Sequence, residues 1–492
     1  MRFQIKLAVA CLTAAFSGAA VADDVALSSH QATFRLGYES IKLPGDEHLG
    51  LVGATYLIET VPGLYVGPAA YGAVSGQRGG FFTGGWETLW RQPLYDKLAL
   101  DAGVYVGGGG GGAAPVGGGL MLRPHVDLTW AWGRQRAGVS VSQVRFPNGD
   151  IRSNQLGVVW AIDDPFYLTA VGEVGKSLMT DQRGGVGFDR IGLRGGVYKP
   201  RDGGDKTGVD NRRKVGFAGV DMQQDLSNGW LWGIEAAGAA KGGSDGYAEV
   251  LGYLGWETPV IGNTLYLGGK AALGAGGGGS IDTKGGLMGK AAVFSRVALS
   301  RDLSVQVEGG LADAPQGKFR AYYGSAQLQF ALDHPEAGRS SANLDGWRWG
   351  SSVQRYSSAQ RRTGETKALD TIGLRIERDL GQGLYMTGQA HSAFAGDAGA
   401  YSVGLFGVGW QNAFASNKLV AGAELAAGAA GGGGVSSHGG AIVQPMLFLG
   451  YNLTPGWQLR GSAGRVKSIK GELSSPVYDL SLMYQFGLPK RP

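Results

Sequence analysis

Period two dominates the chain. Leu303, Val305 and Val307 alternate with Ser304, Gln306 and Glu308, and Val126, Leu128, Trp130 and Trp132 alternate with His125, Asp127 and Thr129. Near the end, Leu480, Leu482, Tyr484 and Phe486 alternate with Ser481, Met483 and Gln485. Successive side chains of an extended strand point to opposite faces, so these segments predict strands with one apolar and one polar face. Each runs for about ten residues, the length a tilted strand needs to cross a bilayer. No stretch beyond the N-terminus is apolar for the roughly 20 residues a membrane-spanning helix requires.

The strands recur in a fixed order. Gly85-Trp86, Gly255-Trp256 and Gly409-Trp410 each stand late in a strand and precede a short turn and an alternating strand that begins at Leu98, Leu265 or Leu419. Those strands run into glycine tracts at 107–112, 276–279 and 431–434, followed by second glycine groups at 117–119, 285–286 and 439–440. The landmarks define three copies of one unit, at about 30–162, 186–332 and 345–487, each divisible into eight strands. An all-β, antiparallel transmembrane barrel of about 24 strands (a range of about 22–26) is expected, with the copies closing into one wall. Residues 165–175 complicate the count, because they read as one more strand between the first two copies.

Connections alternate in character. Val61-Pro62-Gly63, Ser227-Asn228-Gly229 and Leu380-Gly381-Gln382-Gly383 are tight turns, whereas 200–214 and 356–370 are longer and charged. With the N-terminus on the periplasmic side, the longer links and the glycine tracts fall outside the cell.

Composition narrows the class further. The chain has 90 glycines among 492 residues, together with 12 Trp, 19 Tyr and 17 Phe. Glycine is far above its usual share of about 7%, without the strict period of collagen and with too many aromatics for a disordered chain. The first residues read as an export signal: Arg2 and Lys6, an apolar core over 7–16, and Ala20-Val21-Ala22 before Asp23. The mature barrel is then expected as a single domain over 23–492. Cleavage after residue 22 removes Cys11, the one cysteine, which excludes disulfides and thiolate chemistry from the mature chain. It also lowers the formal charge from +5 to +3 by removing Arg2 and Lys6, too slight a surplus for a nucleic-acid binder.

Alternation, loop asymmetry and export signal together resemble Gram-negative outer-membrane β-barrels of the porin-like kind. The resemblance implies the outer membrane as location, with lipid, lipopolysaccharide and the barrel-insertion machinery as partners, and leaves room for a periplasmic or secreted partner protein. One departure is the C-terminal end, where Phe486 is followed by residues 487–492 instead of closing the chain on an aromatic.

A lumen about 24 strands wide is too large for side chains to fill, so the expected function is a channel for transport or secretion of a bulky solute or polymer, polysaccharide or polypeptide. The alternative is a surface-structural or adhesive barrel without flux, and a hydrolase is a third reading. Polar-face charges Asp101, Asp127, Lys270, Arg296, Glu308, Arg375, Glu377 and Arg460 are the candidates for lining the pore. Gly107, Gly108, Gly109, Gly110, Gly276, Gly277, Gly278, Gly431, Gly432 and Gly433 are the candidates for its rim or gate, because polyglycine suits close backbone approach or a flexible edge. His125 and Asp127 share a strand face and could pair as base and orienter, but no nucleophile motif accompanies them. Residues 170–177 fit a relaxed phosphate-binding loop without the strand–helix context that such a loop needs. The histidines lack metal-ligand spacing, so no metal, no cofactor and no enzyme activity are expected.

Overall fold

The computed structural model describes residues 25–202, 205–206 and 213–492. The expected export signal and Cys11 lie outside them. Strands and short 3-10 turns are the regular elements among the described residues. The first group is β1 (Ser28–Lys42), β2 (His48–Val61), β3 (Leu64–Ser75), β4 (Phe82–Tyr95), β5 (Leu98–Gly110), β6 (Met121–Trp132), β7 (Gln135–Arg145) and β8 (Arg152–Ala170). After the short β9 (Ser177–Thr180) come β10 (Arg190–Asp202), β11 (Val215–Asp225), β12 (Trp230–Lys241), β13 (Ala248–Ile261), β14 (Leu265–Gly277), β15 (Leu287–Ala298), β16 (Leu303–Asp313) and β17 (Arg320–Ala331). The third group is β18 (Ser340–Gln360), β19 (Thr366–Gly381), β20 (Leu384–Ala395), β21 (Ser402–Phe414), β22 (Leu419–Gly431), β23 (Ala441–Thr454), β24 (Trp457–Ser468) and β25 (Ser474–Lys490).

Each group closes on itself. β1 pairs antiparallel with β8, β10 with β17, and β18 with β25, so the chain folds into three eight-stranded barrels. This corrects the expectation of one wall of about 24 strands. A continuous wall would need β8 to pair along its length with β10, but it pairs instead with the first strand of its own copy, leaving each copy without free edges. Eight strands enclose a space that side chains can fill, and the polar faces supply long Arg, Glu and Tyr side chains to fill it.

The segment 165–175 also resolves. Pro165 to Ala170 are the last residues of β8, which is 19 residues long, and a 3-10 turn, Val171–Glu173, follows. β9 lies outside all three barrels and pairs with the start of β18. The topology of the later copies is therefore not inverted.

Outward faces are apolar and the two ends differ. At the ends with tight turns, Trp90, Trp130, Trp132, Trp230, Trp256 and Trp410 stand exposed. At the opposite ends the exposed rings are tyrosines: Tyr38, Tyr322 and Tyr478. Between them Val139, Val141, Leu156, Val293, Val307, Leu447 and Leu480 form an exposed aliphatic band. Aromatic ends bracketing an aliphatic band are what a bilayer with two polar interfaces selects.

The barrels are fastened differently at the two ends. On the tight-turn side, Phe166 and Leu168 of β8 pack with Phe486 and Leu488 of β25, and Phe486 pairs through its backbone with Ala170. Residues 487–491 thus join the third barrel to the first, a packing role for the chain that follows the last aromatic. On the loop side the contacts are made by glycine.

Candidate functional site

The lumens are the natural place to seek a site, because most buried charges of the strands point there; Arg378, bonded to Ala331 O of the second barrel, is an exception. In the first barrel Arg35 of β1 reaches Glu87 of β4 (3.4 Å) and Asp127 of β6. His125 lies between the same two carboxylates, 3.4 Å from Glu87 and 3.0 Å from Asp127. Arg123 donates both arms of its guanidinium to Glu39, at 2.8 and 2.9 Å. A cavity of about 30 Å³ remains among Arg35, Glu39, Glu87, Arg123, His125 and Asp127, room for about one water.

In the second barrel Glu235 is the hub. It takes Arg194, Lys270 (2.8 Å) and Lys290 (2.9 Å), while Glu308 takes Arg194 (2.6 Å) and Lys270 (2.8 Å). Lys290 also meets Glu249 at 2.6 Å and stands over the ring of Tyr198 at 5.2 Å. In the third barrel Glu377 takes Arg348 (2.6 Å), Arg460 (2.5 Å) and Arg375 (3.3 Å), and Arg375 continues to Glu424 at 2.8 Å. Each lumen is therefore crossed by a belt of buried ion pairs. Unpaired charges of this size could not be buried, and removing one member leaves the others uncompensated at about 3–5 kcal/mol.

All eight charges singled out in the sequence point into these lumens. Asp127 belongs to the first belt, Lys270 and Glu308 to the second, and Arg375, Glu377 and Arg460 to the third. Asp101 and Arg296 lie away from the hubs, paired with Arg91 and Glu257. They are distributed over three lumens, not around one. Sequence reasoning missed Arg35, Glu87, Arg194, Glu235, Lys290 and Glu424. The available signal was charge at alternate positions of one strand, as in Arg123-x-His125-x-Asp127. The hub glutamate sits on the fourth strand of the first barrel, the third of the second and the second of the third, so no repeated position announces it.

The two motif-like features have other roles. His125 and Asp127 do bond, but inside a belt whose remaining partners are Arg35 and Glu87. Over 170–177 no helix follows a parallel strand; Lys176 pairs with Glu173 at 2.8 Å and Ser177 Oγ donates to Asn343 at 2.8 Å.

The glycine tracts lie where barrels touch. A Cβ on Gly119 would stand 2.4 Å from Ala393 O of the third barrel, one on Gly286 2.3 Å from Ala73 O of the first, and one on Gly440 1.9 Å from Ala239 O of the second. One contact, repeated three times, closes a ring of barrels. Among the rim candidates, Gly108, Gly110, Gly277 and Gly431 meet the neighbouring barrel, at Ser392, Gly399, Gly80 and Gly246. Gly107, Gly109, Gly276, Gly278, Gly432 and Gly433 press on backbone or side chains of their own barrel. Backbone bonds reinforce the ring, with Gly79 N donating to Lys284 O at 2.6 Å and Gly399 N to Gly117 O at 3.2 Å. Four of the ten rim-or-gate candidates thus permit backbone contact between barrels, and the other six permit close packing within one.

No family model and no curated protein matches the chain. Solved structures do, at 9% identity in each case. OccAB3 of Acinetobacter baumannii covers 93% of this chain and 99% of its own at a TM-score of 0.23. The outer membrane protein opdK of Pseudomonas aeruginosa covers 94% and 99% at 0.23, and the ferric enterobactin receptor PfeA 94% and 82% at 0.29. The exposed aliphatic band, its aromatic ends and the closed, polar-lined walls make the chain an outer-membrane β-barrel protein.

Proposed function

We propose that the protein is an outer-membrane channel of narrow bore, with three parallel conduits each shut by its ion-pair belt. The observation that carries this reading is the hub arrangement, in which one carboxylate, Glu235 or Glu377, gathers three cations inside the lumen. Passage requires those partners to exchange. At about 3–5 kcal/mol for a broken buried pair, each lumen is open for between about one part in a hundred and one in several thousand of the time, since about 1.4 kcal/mol is tenfold. Brief ionic events are expected, not a standing current. The bulky solute or polymer drew its support from one wide lumen and has none in three filled ones.

Planar-bilayer recording of the purified protein tests the proposal. Wild type should give rare, small events, and Glu377→Ala combined with Arg460→Ala, which removes one charge of each sign, should raise their frequency at least tenfold. A large steady wild-type current would reveal a passage other than the lumens and sink the proposal. A double variant as silent as wild type would favour the second reading, a surface-structural barrel without flux, which the ion pairing of the belts also suits. Neither reading assigns a catalytic step.

A further inference from the structure

The loop-side ends of all three barrels carry basic residues on their outer, lipid-facing surface; some pair with carboxylates, whereas others, such as Arg145 and Arg152 of the first barrel and Lys467 of the third, have no ion-pair partner among the described residues. Lys42 of the first barrel pairs with Asp46, and Arg355 of the third with Asp370 at 3.4 Å. In the second barrel Arg320 pairs with Asp313 at 3.5 Å, but among the described residues no carboxylate pairs with Lys199, Arg201 or Lys214. Alternation sends Lys199 and Arg201 outward with Val197, while Tyr198 points into the lumen. Lys199 stands opposite Tyr322 in the β10–β17 ladder, and Arg201 lies 5.2 Å over the Tyr322 ring.

These side chains frame an outward-facing cleft of about 260 Å³ bounded by Val197, Lys199, Lys214, Tyr322 and Gly324. Its floor continues the aliphatic band through Val197 and Leu193, both exposed. Lysines above, apolar surface below and an amphipathic ring between them complement a molecule with an anionic head and hydrocarbon tails. On the loop side that molecule belongs to the outer leaflet. We propose that the cleft on the second barrel binds a phosphate-bearing lipid of that leaflet, lipid A of lipopolysaccharide, with its phosphate between Lys199 and Lys214 and an acyl chain along Val197. The proposal rests on the outer-membrane reading and is independent of whether the lumens conduct.

The test is titration of the full-length protein in detergent micelles with fluorescently labelled bisphosphorylated lipid A and with the same lipid stripped of its phosphates. Wild type should prefer the phosphorylated form. At the usual strength of a cation near an anionic surface, Lys199→Gln with Lys214→Gln should weaken binding about thirtyfold. Lys470→Gln on a loop of the third barrel should leave it unchanged, and the folded, heat-modifiable band on electrophoresis should be the same for all variants. Equal affinity for the two lipids, or an unaffected double variant, would overturn the site. Displacement of the labelled lipid by millimolar inorganic phosphate would overturn the lipid assignment, because it would make the head alone sufficient. Bilayer recordings of the double variant should match wild type, which separates failure of this site from failure of the channel reading.

Discussion

Arg491 grips Asp333 from three sides: its Nη2 lies 2.5 Å from Oδ2, its Nε 3.1 Å from Oδ1, and its backbone N–H donates to Oδ1 at 2.8 Å. The same guanidinium donates through Nη1 to Asp181 O at 3.0 Å and Gly338 O at 3.4 Å. One buried side chain thereby holds the end of the third barrel against both connections between barrels.

Replacing either partner should loosen that end. Asp333→Asn or Arg491→Gln strands a buried charge, and a loss of about 3–5 kcal/mol is expected. The temperature at which the folded band disappears on unboiled electrophoresis should fall clearly for both. A shift no larger than that of a surface substitution would show that the bolt carries no weight.

The glycine ring makes a sharper prediction. Gly431 has ordinary backbone geometry, yet an added Cβ would stand 2.1 Å from Gly246 N and 2.7 Å from Asp245 C. Gly404, on an exposed outer face, has nothing within 4 Å. Gly431→Ala should cost at least about 1–3 kcal/mol, the usual penalty for overpacking, and should open the loops around it to protease; Gly404→Ala should do neither. Limited proteolysis of the two variants side by side checks this.

Asp189, in the connection just before β10, brings in pH. Burial, with the negative charges of Asp225 and Asp333 nearby, pushes its carboxyl up to about 7, against Arg183 3.2 Å away. A raised folded pKa means that the folded state holds the proton longer than the unfolded one. The contribution is fully present below the ordinary value of 3.8 and is lost as pH rises through about 7. Wild type should therefore lose stability between about pH 4 and 7 relative to Asp189→Asn, whose profile lacks that slope. Thermal midpoints for both across that range are the measurement, and parallel profiles would refute the assignment.

Within the lumens, the hub carboxylates should matter far more than surface pairs. Glu377→Gln leaves Arg348, Arg375 and Arg460 around a neutral amide and should cost about 3–5 kcal/mol. Glu365, paired with Lys367 at 3.2 Å on the surface, should cost under about 1 kcal/mol when changed to Gln. Comparable losses from the two would mean that the belts are hydrated and weak.

Strand pattern and repeat were legible because each is a local property. Period two assigns one face of Leu303–Asp313 to lipid and the other to the interior whatever its neighbours are, and Gly-Trp followed by a glycine tract recurs in every copy. Which first strand β8 pairs with is not local: the polar face of β8 looks the same beside β1 as beside β10, and only closure of the wall selects β1. That choice turned one wide lumen into three filled ones. It also gave Glu235 and Glu377 partners such as Arg194 and Arg460 from strands distant in sequence, and it brought Gly119, Gly286 and Gly440 against foreign backbone. The sequence by itself determined strands, faces and the threefold repeat, because these follow from residue order; the tertiary structure alone decided closure, pairing of buried charge and contact between barrels, because those depend on which surfaces meet.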